Sequence, residues 1–373
     1  MKIIETDIAI VGAGAAGLSA AAEAARAGAK VMVFDENRLP GGQLFKQIHK
    51  FFGSHDHHAG IRGYQIGRDL LNEVRDAGAD VRLNTIVYGM QPDKSLGIIC
   101  DGKNCVVRAE KVIVAAGAKE NYMAFPGSTL PGVMGAGAAQ TMANVNRVLP
   151  GERIVMIGSG NVGLIVSYQL MQAGAEVLAL VEAAPAIGGY GVHAAKLRRA
   201  GVPILVSHTV TRAIGSDKVE AAEIAQVDEH FQPIPGTEQI LPADTICLAV
   251  GLNPMTELLW MSGCRFTYIG PFGGHVPLHD ACLETTVPGL YVAGDITGVE
   301  EASSAMEEGR LAGIAAACSL GFIPAAEAEK RMEMIRHRLD TLRSGSFGAV
   351  RRQSKEKQLQ AMQDYREKEG LAQ

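Results

Sequence analysis

Two copies of one strand–glycine loop–helix–strand pattern predict an α/β fold with two Rossmann-like dinucleotide-binding domains of the three-layer ββα type. The first copy includes IAIVGAGAAGL at residues 8–18, and the second includes IVMIGSGNVGL at residues 154–164. The composition agrees with helix-covered sheets, because aromatic residues make up only 5% and glycine contributes 44 of 373 residues without a low-complexity tract. The glycines are therefore expected to serve turns and close backbone approaches.

The first copy has every feature of a dinucleotide-binding turn. Gly12 permits the tight turn after the strand, Gly14 lets the backbone approach a pyrophosphate, and Gly17 lets the helix pack closely on the strand. The N-terminus of the helix offers free N–H groups and a positive dipole to the anion. Asp35 ends the next strand, where a carboxylate accepts a hydrogen bond from an adenosine ribose hydroxyl. The candidate nucleotide-binding residues of this copy are Gly12, Gly14, Ala15, Ala16, Gly17, Asp35 and Glu36.

The second copy repeats the pattern with its own acidic residue, Glu182, at the end of the second strand. A carboxylate at this position accepts from a free 2′-hydroxyl and repels a 2′-phosphate, so the sequence favours NAD(H) over NADP(H). The alternative is a lobe that keeps the fold and holds a different nucleotide or none. The candidate residues of this copy are Gly158, Gly160, Asn161, Val162, Gly163 and Glu182.

A third segment, at residues 285–317, resembles the second flavin motif of flavoproteins that bind two dinucleotides. In those proteins an Asp after a short strand hydrogen-bonds the ribityl chain and the pyrophosphate, and LYVAGD places Asp295 at that point. KVIVAAGAKE at 111–120 and LPADTICLAVGLNP at 241–254 resemble the crossover strands of the two domains. The residues that these resemblances and the predicted β-meander add to the candidates are Val87, Ala116, Gly117, Gly251, Gly294 and Asp295.

These five segments together resemble thioredoxin reductase and its relatives, the FAD/NAD(P)-dependent pyridine-nucleotide oxidoreductases, across residues 1–320. The resemblance implies FAD in the first site and a nicotinamide nucleotide in the second, placed so that a hydride passes between them. PGGQLFKQ at 40–47 strengthens it, because a GGQ turn lies beside the flavin in that superfamily, which implies roles for Gly42, Gln43 and Leu44. Thioredoxin reductases carry C-x-x-C in the nicotinamide domain. No Cys lies between Thr129 and Ile246, so disulfide reduction by that route is excluded.

A closer resemblance is to the FAD-binding subunit of multi-subunit amine dehydrogenases, the group of the opine oxidase A subunit, the hydrogen cyanide synthase B subunit and hydroxyproline dehydrogenase subunits. It is carried by FPGSTLPGVMGAGAAQTM, VLPGERIVMIGSG and AVGLNPMTELLWMSG, together with the PGGQ and third-motif segments. The resemblance implies an oxidase-fold partner that performs the C–N chemistry and often a small iron–sulfur protein. No Cys follows Cys318, so an iron–sulfur cluster is expected on another polypeptide, and the intact second loop favours real NAD(H) binding.

Three functions follow from these observations. The first is an electron-transferring subunit of an amine or amino-acid dehydrogenase complex of the opine or hydroxyproline type, relaying electrons between FAD and NAD(H) or an iron–sulfur partner. The second is a stand-alone NADH-dependent reductase of a small redox protein or acceptor. The third is a non-catalytic nucleotide-binding scaffold. The expected domains are 1–121 with 263–323 for FAD, 122–262 for the nicotinamide nucleotide, and a helical C-terminal tail at 324–373 that is either a surface helix pair or a docking tail.

Composition and charge exclude several other classes. A net charge of −5 gives no electrostatic reason to expect nucleic acid. The sequence contains no uninterrupted run of 18 apolar residues, so no membrane span is expected. Glu5 and Asp7 interrupt any signal-peptide pattern. The six scattered Cys residues suit a reducing cytoplasm, and the chain is expected to form a hetero- or homo-oligomer. The histidine-rich stretch at 49–58 is interpreted as a polar loop, so no metal site is expected, and no catalytic residue is assigned.

Overall fold

The computed structural model of the chain describes residues 2–370, except for the side chains of residues 346 and 347. The chain forms two compact units: the residues up to Lys119 with those from Asn253 onward, and Glu120–Leu252. The return to the first unit comes about ten residues earlier than the sequence predicted, at 252/253 rather than 262/263. The reason is that the short helix over Glu257–Met261 packs on the first unit, where Leu259 is fully buried in the core.

The secondary structure is as follows in chain order; the short strands at 118–120 and 252–254 each extend one residue across a unit boundary. The first segment of unit 1 contains β1 (Lys2–Val11), α1 (Ala15–Arg26), β2 (Val31–Phe34), α2 (Gly63–Asp76), β3 (Asp80–Arg82), β4 (Thr85–Met90), β5 (Leu96–Cys100), β6 (Lys103–Val114) and β7 (Ala118–Glu120). Unit 2 contains β8 (Val133–Gly135), α3 (Ala136–Thr141), β9 (Arg153–Ile157), α4 (Asn161–Gln172), β10 (Glu176–Glu182), α5 (Gly191–Arg199), β11 (Ile204–Val206), β12 (His208–Ile214), β13 (Ala221–Gln226), β14 (Gln239–Leu241) and β15 (Thr245–Leu248). The second segment of unit 1 contains β16 (Leu252–Pro254), α6 (Glu257–Met261), β17 (Phe266–Ile269), β18 (Gly274–Pro277), β19 (Leu290–Val292), α7 (Ala302–Ser319), α8 (Ala325–Leu342) and α9 (Gly345–Lys368).

Unit 1 has the predicted three-layer ββα architecture. Its sheet runs β3-β2-β1-β6-β5-β4, with β19 also paired to β6; β1, β2, β3, β6 and β19 are parallel, and β4–β6 form an antiparallel meander. Successive residues of β1 point to opposite faces. Ile8 and Ile10 face a core shared with α1, α2, α7 and α8, whereas Ala9 and Val11 face a core shared with the meander.

Unit 2 repeats this architecture. A parallel sheet with the order β11-β10-β9-β15-β8 lies between helices and a separate antiparallel sheet of β12, β13 and β14. Ile154 and Met156 of β9 face the core with α4 and α5, and Val155 and Ile157 face the core with the antiparallel sheet. The fold prediction of two ββα units is therefore confirmed.

Helices α1 and α7 of unit 1 touch through small residues. A Cβ built on Gly309 would lie 2.1 Å from the backbone oxygen of Ala16, and one built on Gly313 would lie 2.4 Å from that of Ala20. The helix backbones therefore approach as closely as they do only because residues 309 and 313 lack side chains. This contact places the start of α1 beside the chain that enters α7.

The C-terminal segment is a helix pair packed on unit 1 rather than a free docking tail. Helix α8 buries Met332, Ile335 and Leu339 in the same core as α7. Helix α9 contacts β17, and the Nε2 of Gln358 donates a hydrogen bond to the backbone oxygen of Pro277 at 2.8 Å. No helix within residues 2–370 has the length and apolar character needed to cross a membrane.

The close α1–α7 contact predicts that Gly313→Ala destabilises unit 1. The added methyl group would overlap the Ala20 carbonyl, and overpacking of this kind costs about 1–3 kcal/mol. Gly191→Ala is the matched control, because no atom lies within 4 Å of a Cβ at that helical position. Thermal unfolding followed by circular dichroism should show a lower Tm for Gly313→Ala alone; equal Tm values for the two variants would contradict the packing argument.

Candidate functional site

The first glycine loop joins β1 to α1, and its three glycines occupy three different environments. Gly12 has φ +102°, and a Cβ there would lie 2.4 Å from the backbone oxygen of Ala115. A Cβ on Gly17 would lie 1.8 Å from the backbone oxygen of Gly12. Gly14 differs, because the nearest protein atom to a Cβ there is the Cα of Gly42 at 3.9 Å. Two glycines are thus required by the protein itself, and the middle one borders open space.

Asp35 braces this loop from the end of β2. One carboxylate oxygen accepts a hydrogen bond from the backbone N–H of Ala13 at 2.6 Å, and the other accepts from that of Asn37 at 2.7 Å. The side chain is almost fully buried. Because a carboxylate offers about four lone-pair positions, it retains the capacity to accept from a ligand hydroxyl. Glu36, the neighbouring candidate, is exposed.

The PGGQ segment lies directly against the first loop. The backbone N–H of Gly41 donates to the backbone oxygen of Ala13 at 2.7 Å, and a Cβ on Gly42 would lie 2.9 Å from the Cα of Gly14. Residues Gly42–Lys46 form a short 3-10 helix in which Leu44 is buried and Gln43 is exposed. The segment therefore forms one wall beside Gly14.

The third motif reaches the first turn of α1. Gly294 has φ +79°, and a Cβ there would lie 2.8 Å from the Cβ of Ala16 in the first turn of α1. Asp295 follows it and accepts a 3.3 Å hydrogen bond from the backbone N–H of Glu300. Burial raises the pKa of Asp295 to about 7, and repulsion from Glu308, Glu300 and Glu301 adds to this effect. Asp295 is therefore a carboxylate that titrates near neutral pH at the loop.

The crossover and meander candidates differ in their positions. Ala116 lies beside the loop, since its Cα would be 3.4 Å from a Cβ on Gly12. Gly117 has φ +76°, and its backbone oxygen accepts from the N–H of Met255 at 3.0 Å. Val87 lies on β4, which β5 and β6 separate from β1 in the order of the sheet, and it is half-buried against the meander core. The structure brings Ala116 to the first loop, and the strand of Val87 begins at Thr85, whose backbone N–H donates to the backbone oxygen of Asp35 at 2.8 Å.

The second glycine loop, between β9 and α4, has the same geometry. A Cβ on Gly158 would lie 2.3 Å from the backbone oxygen of Ala249, and one on Gly163 would lie 2.1 Å from that of Gly158. Nothing lies within 4 Å of a Cβ on Gly160. Both loops therefore leave open space at the middle glycine alone, which is the arrangement that a pyrophosphate held at a helix N-terminus requires.

Glu182 corresponds to Asp35 in position and bonding. One carboxylate oxygen accepts from the backbone N–H and the hydroxyl of Ser159 at 2.9 and 2.5 Å, and the other accepts from the N–H of Ala184 at 2.9 Å. Val162 is exposed on the first turn of α4. Gly251 has φ +102°, and its backbone oxygen accepts a hydrogen bond from the backbone N–H of Asn121. Gly117 in the first unit makes the equivalent bond with the N–H of Met255.

A glycine turn at Gly188–Gly189 in the second unit corresponds to PGGQ in the first, and it was not predicted from the sequence. The backbone N–H of Gly189 donates to the backbone oxygen of Ser159 at 2.8 Å, just as Gly41 does to Ala13. The Oδ1 of Asn161 accepts from the N–H of Tyr190 at 2.9 Å. The signal was present in the sequence, because the GG pair of AIGGYG follows Glu182 at the same distance as the GG pair of PGGQ follows Asp35.

Histidine and cysteine side chains form neither a metal cluster nor a disulfide in the part of the chain that the structure describes. His57 is buried, with Nδ1 2.7 Å from the Ser54 hydroxyl and Nε2 3.1 Å from a carboxylate oxygen of Glu307. Within residues 2–370, no three His, Cys, Asp or Glu side chains converge on a metal position. All six cysteines are free, and burial raises the pKa of Cys247 to about 12, with Glu120 contributing. A thiolate at Cys247 is therefore strongly disfavoured.

The open middle glycines predict a separation between folding and nucleotide binding. Gly14→Ala and Gly160→Ala each add a methyl group where no protein atom interferes, so both variants should fold with an unchanged Tm. The methyl group would occupy the space that a pyrophosphate needs. We expect Gly14→Ala to weaken FAD binding and Gly160→Ala to weaken NADH binding, each by roughly tenfold or more.

Each of these variants is the control for the other. Flavin fluorescence titration and NADH titration of both proteins provide the measurement. Loss of both ligands from either variant, or of neither, would contradict the assignment of one loop to each nucleotide.

Comparison with known proteins agrees with this geometry. Residues 6–309 match the pyridine nucleotide-disulphide oxidoreductase family. The opine oxidase A subunit from Rhizobium meliloti is 30% identical over 88% of this chain, and that from strain 1021 is 32% identical over 84% of it. The chain spans 65% and 71% of the lengths of these two relatives. Hydrogen cyanide synthase subunit HcnB of Pseudomonas aeruginosa is 28% identical, with 92% of this chain and 77% of that protein covered.

Solved structures share the fold. Thioredoxin reductase of T. acidophilum superposes with a TM-score of 0.70 at 22% identity, covering 85% of this chain and 99% of that chain. L-proline dehydrogenase of P. horikoshii superposes with a TM-score of 0.67 at 21% identity, covering 89% of this chain and 59% of that chain. The chain therefore belongs to the pyridine nucleotide-disulphide oxidoreductase family and is an oxidoreductase of the FAD/NAD(P) type related to subunits of opine oxidase, hydrogen cyanide synthase and sarcosine oxidase.

Proposed function

We propose that this chain is the electron-relaying flavoprotein subunit of a multi-subunit amine or amino-acid dehydrogenase, with FAD in the first site and NAD(H) in the second. The observation that carries the proposal is the pair of glycine loops with equivalent geometry. Within residues 2–370, only the first of them meets a Gly–Asp turn, at Gly294–Asp295. The first site thus has a second carboxylate, Asp295, in addition to Asp35. A second acceptor suits a flavin, because its ribityl chain carries hydroxyl groups beyond those of the adenosine ribose. We therefore assign FAD to the site with the extra turn.

The residues of the first unit would hold FAD in three places. The N–H groups of the first turn of α1 would bind the pyrophosphate beside Gly14, where the protein leaves room. Asp35 would accept from the adenosine ribose, and Asp295 would accept from the ribityl hydroxyls. When bound, FAD supplies the two-electron redox chemistry, and the protein supplies placement and electrostatics.

The second unit would hold NAD(H) rather than NADP(H). Glu182 places a carboxylate at the end of β10, and its oxygens already accept from Ser159 and Ala184, which keeps the charge in a fixed position. A fixed negative charge would repel a 2′-phosphate and accept from a free 2′-hydroxyl. Asn161 and Gly163 would shape the helix N-terminus that receives the pyrophosphate.

The role within a complex is supported by the names of the relatives, which are subunits of opine oxidase, hydrogen cyanide synthase and sarcosine oxidase. Amine oxidation needs a site that holds the substrate Cα–H against a flavin, and we assign that chemistry to an oxidase-fold partner. A small iron–sulfur protein is the proposed second partner, as the resemblance to the subunits of amine dehydrogenases implies. We place this complex in the cytoplasm, where the free thiols stay reduced.

A stand-alone NADH-dependent reductase is the second candidate, and the complete second loop favours it. Reduction of the bound flavin by NADH in the isolated chain would favour this reductase, whereas co-purification with an oxidase-fold protein would favour the relay. A non-catalytic scaffold does not fit the family to which the chain belongs.

The charge of Glu182 predicts that the wild-type chain binds NADH more tightly than NADPH. Glu182→Ala should reduce this preference by about tenfold, because the repulsion of the 2′-phosphate is removed. Glu238→Ala, at an exposed position of the same unit, is the control and should keep the wild-type preference for NADH. Titration of each protein with both nucleotides tests this, and equal wild-type affinities would refute the assignment.

The relay proposal predicts that the isolated chain does not oxidise amino acids or opines, although it passes electrons from NADH to dyes. The reason is that a partner supplies the C–N chemistry. The measurement is anaerobic mixing of the homogeneous chain with candidate amines while the flavin absorbance is followed. Steady amine turnover with reduction of the bound flavin would overturn the proposal.

A further inference from the structure

Three carboxylates surround the Asp295 turn of unit 1. Glu300, Glu301 and Glu308 all raise the pKa of Asp295 by repulsion, in addition to the larger effect of burial. The side chains of Glu300 and Glu308 are each only 4% exposed. Glu300 and Glu308 require compensating charge, because water cannot stabilise carboxylates buried this close together, whereas Glu301 is 40% exposed.

The compensating charge comes from the C-terminal helix pair. Arg343, between α8 and α9, lies 2.8 Å from a carboxylate oxygen of Glu300 and 2.6 Å from one of Glu308. Arg351 lies 2.9 Å from Glu301. Lys355, one helical turn after Arg351, lies 3.1 Å from Glu308. Each of the three carboxylates thus pairs with a cation from residues 343–355.

Glu308 connects these cations to the flavin turn. One of its oxygens faces Arg343 and Lys355, and the other accepts from the backbone N–H of Gly294 at 3.0 Å and from the hydroxyl of Thr297 at 2.8 Å. Although burial opposes ionisation, Lys355 and Arg343 lower the pKa of Glu308 to about 2. The ionised carboxylate can therefore keep both acceptor bonds to the turn at neutral pH.

Lys355 itself is built into the core beside the turn. Its Nζ lies 3.0 Å from the Thr297 hydroxyl, 3.4 Å from Nε2 of His279 and 5.2 Å from the ring centroid of Phe272. Burial, with Lys355 adding to it, lowers the pKa of His279 to about 4, so His279 is neutral and does not compete as a cation. Burial also lowers the pKa of Lys355, and Glu308 counteracts that effect.

We infer that Lys355, Arg343 and Arg351 are positioning residues of the first nucleotide site, which hold the Gly294–Thr297 turn through Glu308 and neutralise the carboxylates around Asp295 so that Asp295 can accept from the ribityl chain of FAD. This inference rests on the proposed placement of FAD in the first site. It makes the C-terminal helix pair a component of that site although it contributes no nucleotide-binding motif.

The role has a pH signature. Ionised Asp295 accepts at both carboxylate oxygens and more strongly than the protonated acid, so FAD affinity should fall as the pH drops through about 7. Loss of a nearby cation strengthens the net repulsion at Asp295 and raises its pKa, which moves the inflection to higher pH. The groups that set this inflection are Glu300, Glu301 and Glu308 from the turn and α7, Arg343, Arg351 and Lys355 from the C-terminal pair, and His279 beside Lys355.

The test compares Lys355→Met and Arg351→Met with Lys357→Met, an exposed lysine on the same helix that changes the net charge equally. FAD dissociation constants of the apoproteins are measured by flavin fluorescence across the neutral range, with circular dichroism to establish folding. We expect roughly tenfold weaker binding at neutral pH and an inflection at higher pH for Lys355→Met. Arg351→Met should shift both quantities in the same direction by a smaller amount, because its ion pair with Glu301 is partly solvent-exposed, and Lys357→Met should keep wild-type values.

Asp295→Asn separates this role from a structural one. In that background the inflection should be absent, and Arg351→Met should no longer change the pH dependence. If Lys355→Met fails to fold, Arg351→Met decides, because its side chain is 27% exposed and borders the protein surface. Wild-type affinity and inflection in folded Lys355→Met or Arg351→Met would overturn the inference, whereas a wild-type chain that binds no FAD would overturn the proposed function.

Discussion

The backbone oxygen of Ala115 lies where a side chain at residue 12 would have to be, and the rest of the first site depends on this contact. The chain must turn at once after β1, in a left-handed conformation that glycine alone adopts readily. The turn brings the N-terminus of α1 to the carboxyl end of the sheet, and Gly17 keeps the helix against the strand. Once α1 is placed, Ala16 and Ala20 set the close approach of α7 and, with it, the position of Gly294.

The second unit obeys the same constraint with different residues. Ala249 takes the place of Ala115, Glu182 that of Asp35, and the Gly188–Gly189 turn that of PGGQ. The correspondence extends beyond the glycine fingerprint to the loop that folds back on it. What differs is the third element: in the part of the chain that the structure describes, only the first unit adds a Gly–Asp turn and ion pairs that support it. We take this asymmetry as the physical basis for assigning a flavin to one unit and a nicotinamide nucleotide to the other.

Local pattern was sufficient to predict the two ββα units, both glycine loops and their acidic residues, because each depends on residues close in sequence. Glu308 was not found because its partners, Arg343 and Lys355, lie 35 and 47 residues away on helices whose sequence reads as a polar surface. The boundary at 252/253 was missed because the Gly- and Pro-rich stretch after residue 261 indicates a crossing more strongly than Leu259, whose burial depends on tertiary packing. Polar composition likewise left a surface helix pair and a docking tail as alternatives, because the buried stripe of Met332, Ile335 and Leu339 depends on tertiary packing.

The central claim is that this chain carries FAD and works as one component of a larger redox assembly. Purification of the untagged assembly from its native source, followed by mass spectrometry of its subunits and released cofactors, tests that claim most directly. The account predicts one FAD for each copy of this chain, together with an oxidase-fold subunit in the same particle. A colourless chain that purifies alone would contradict it.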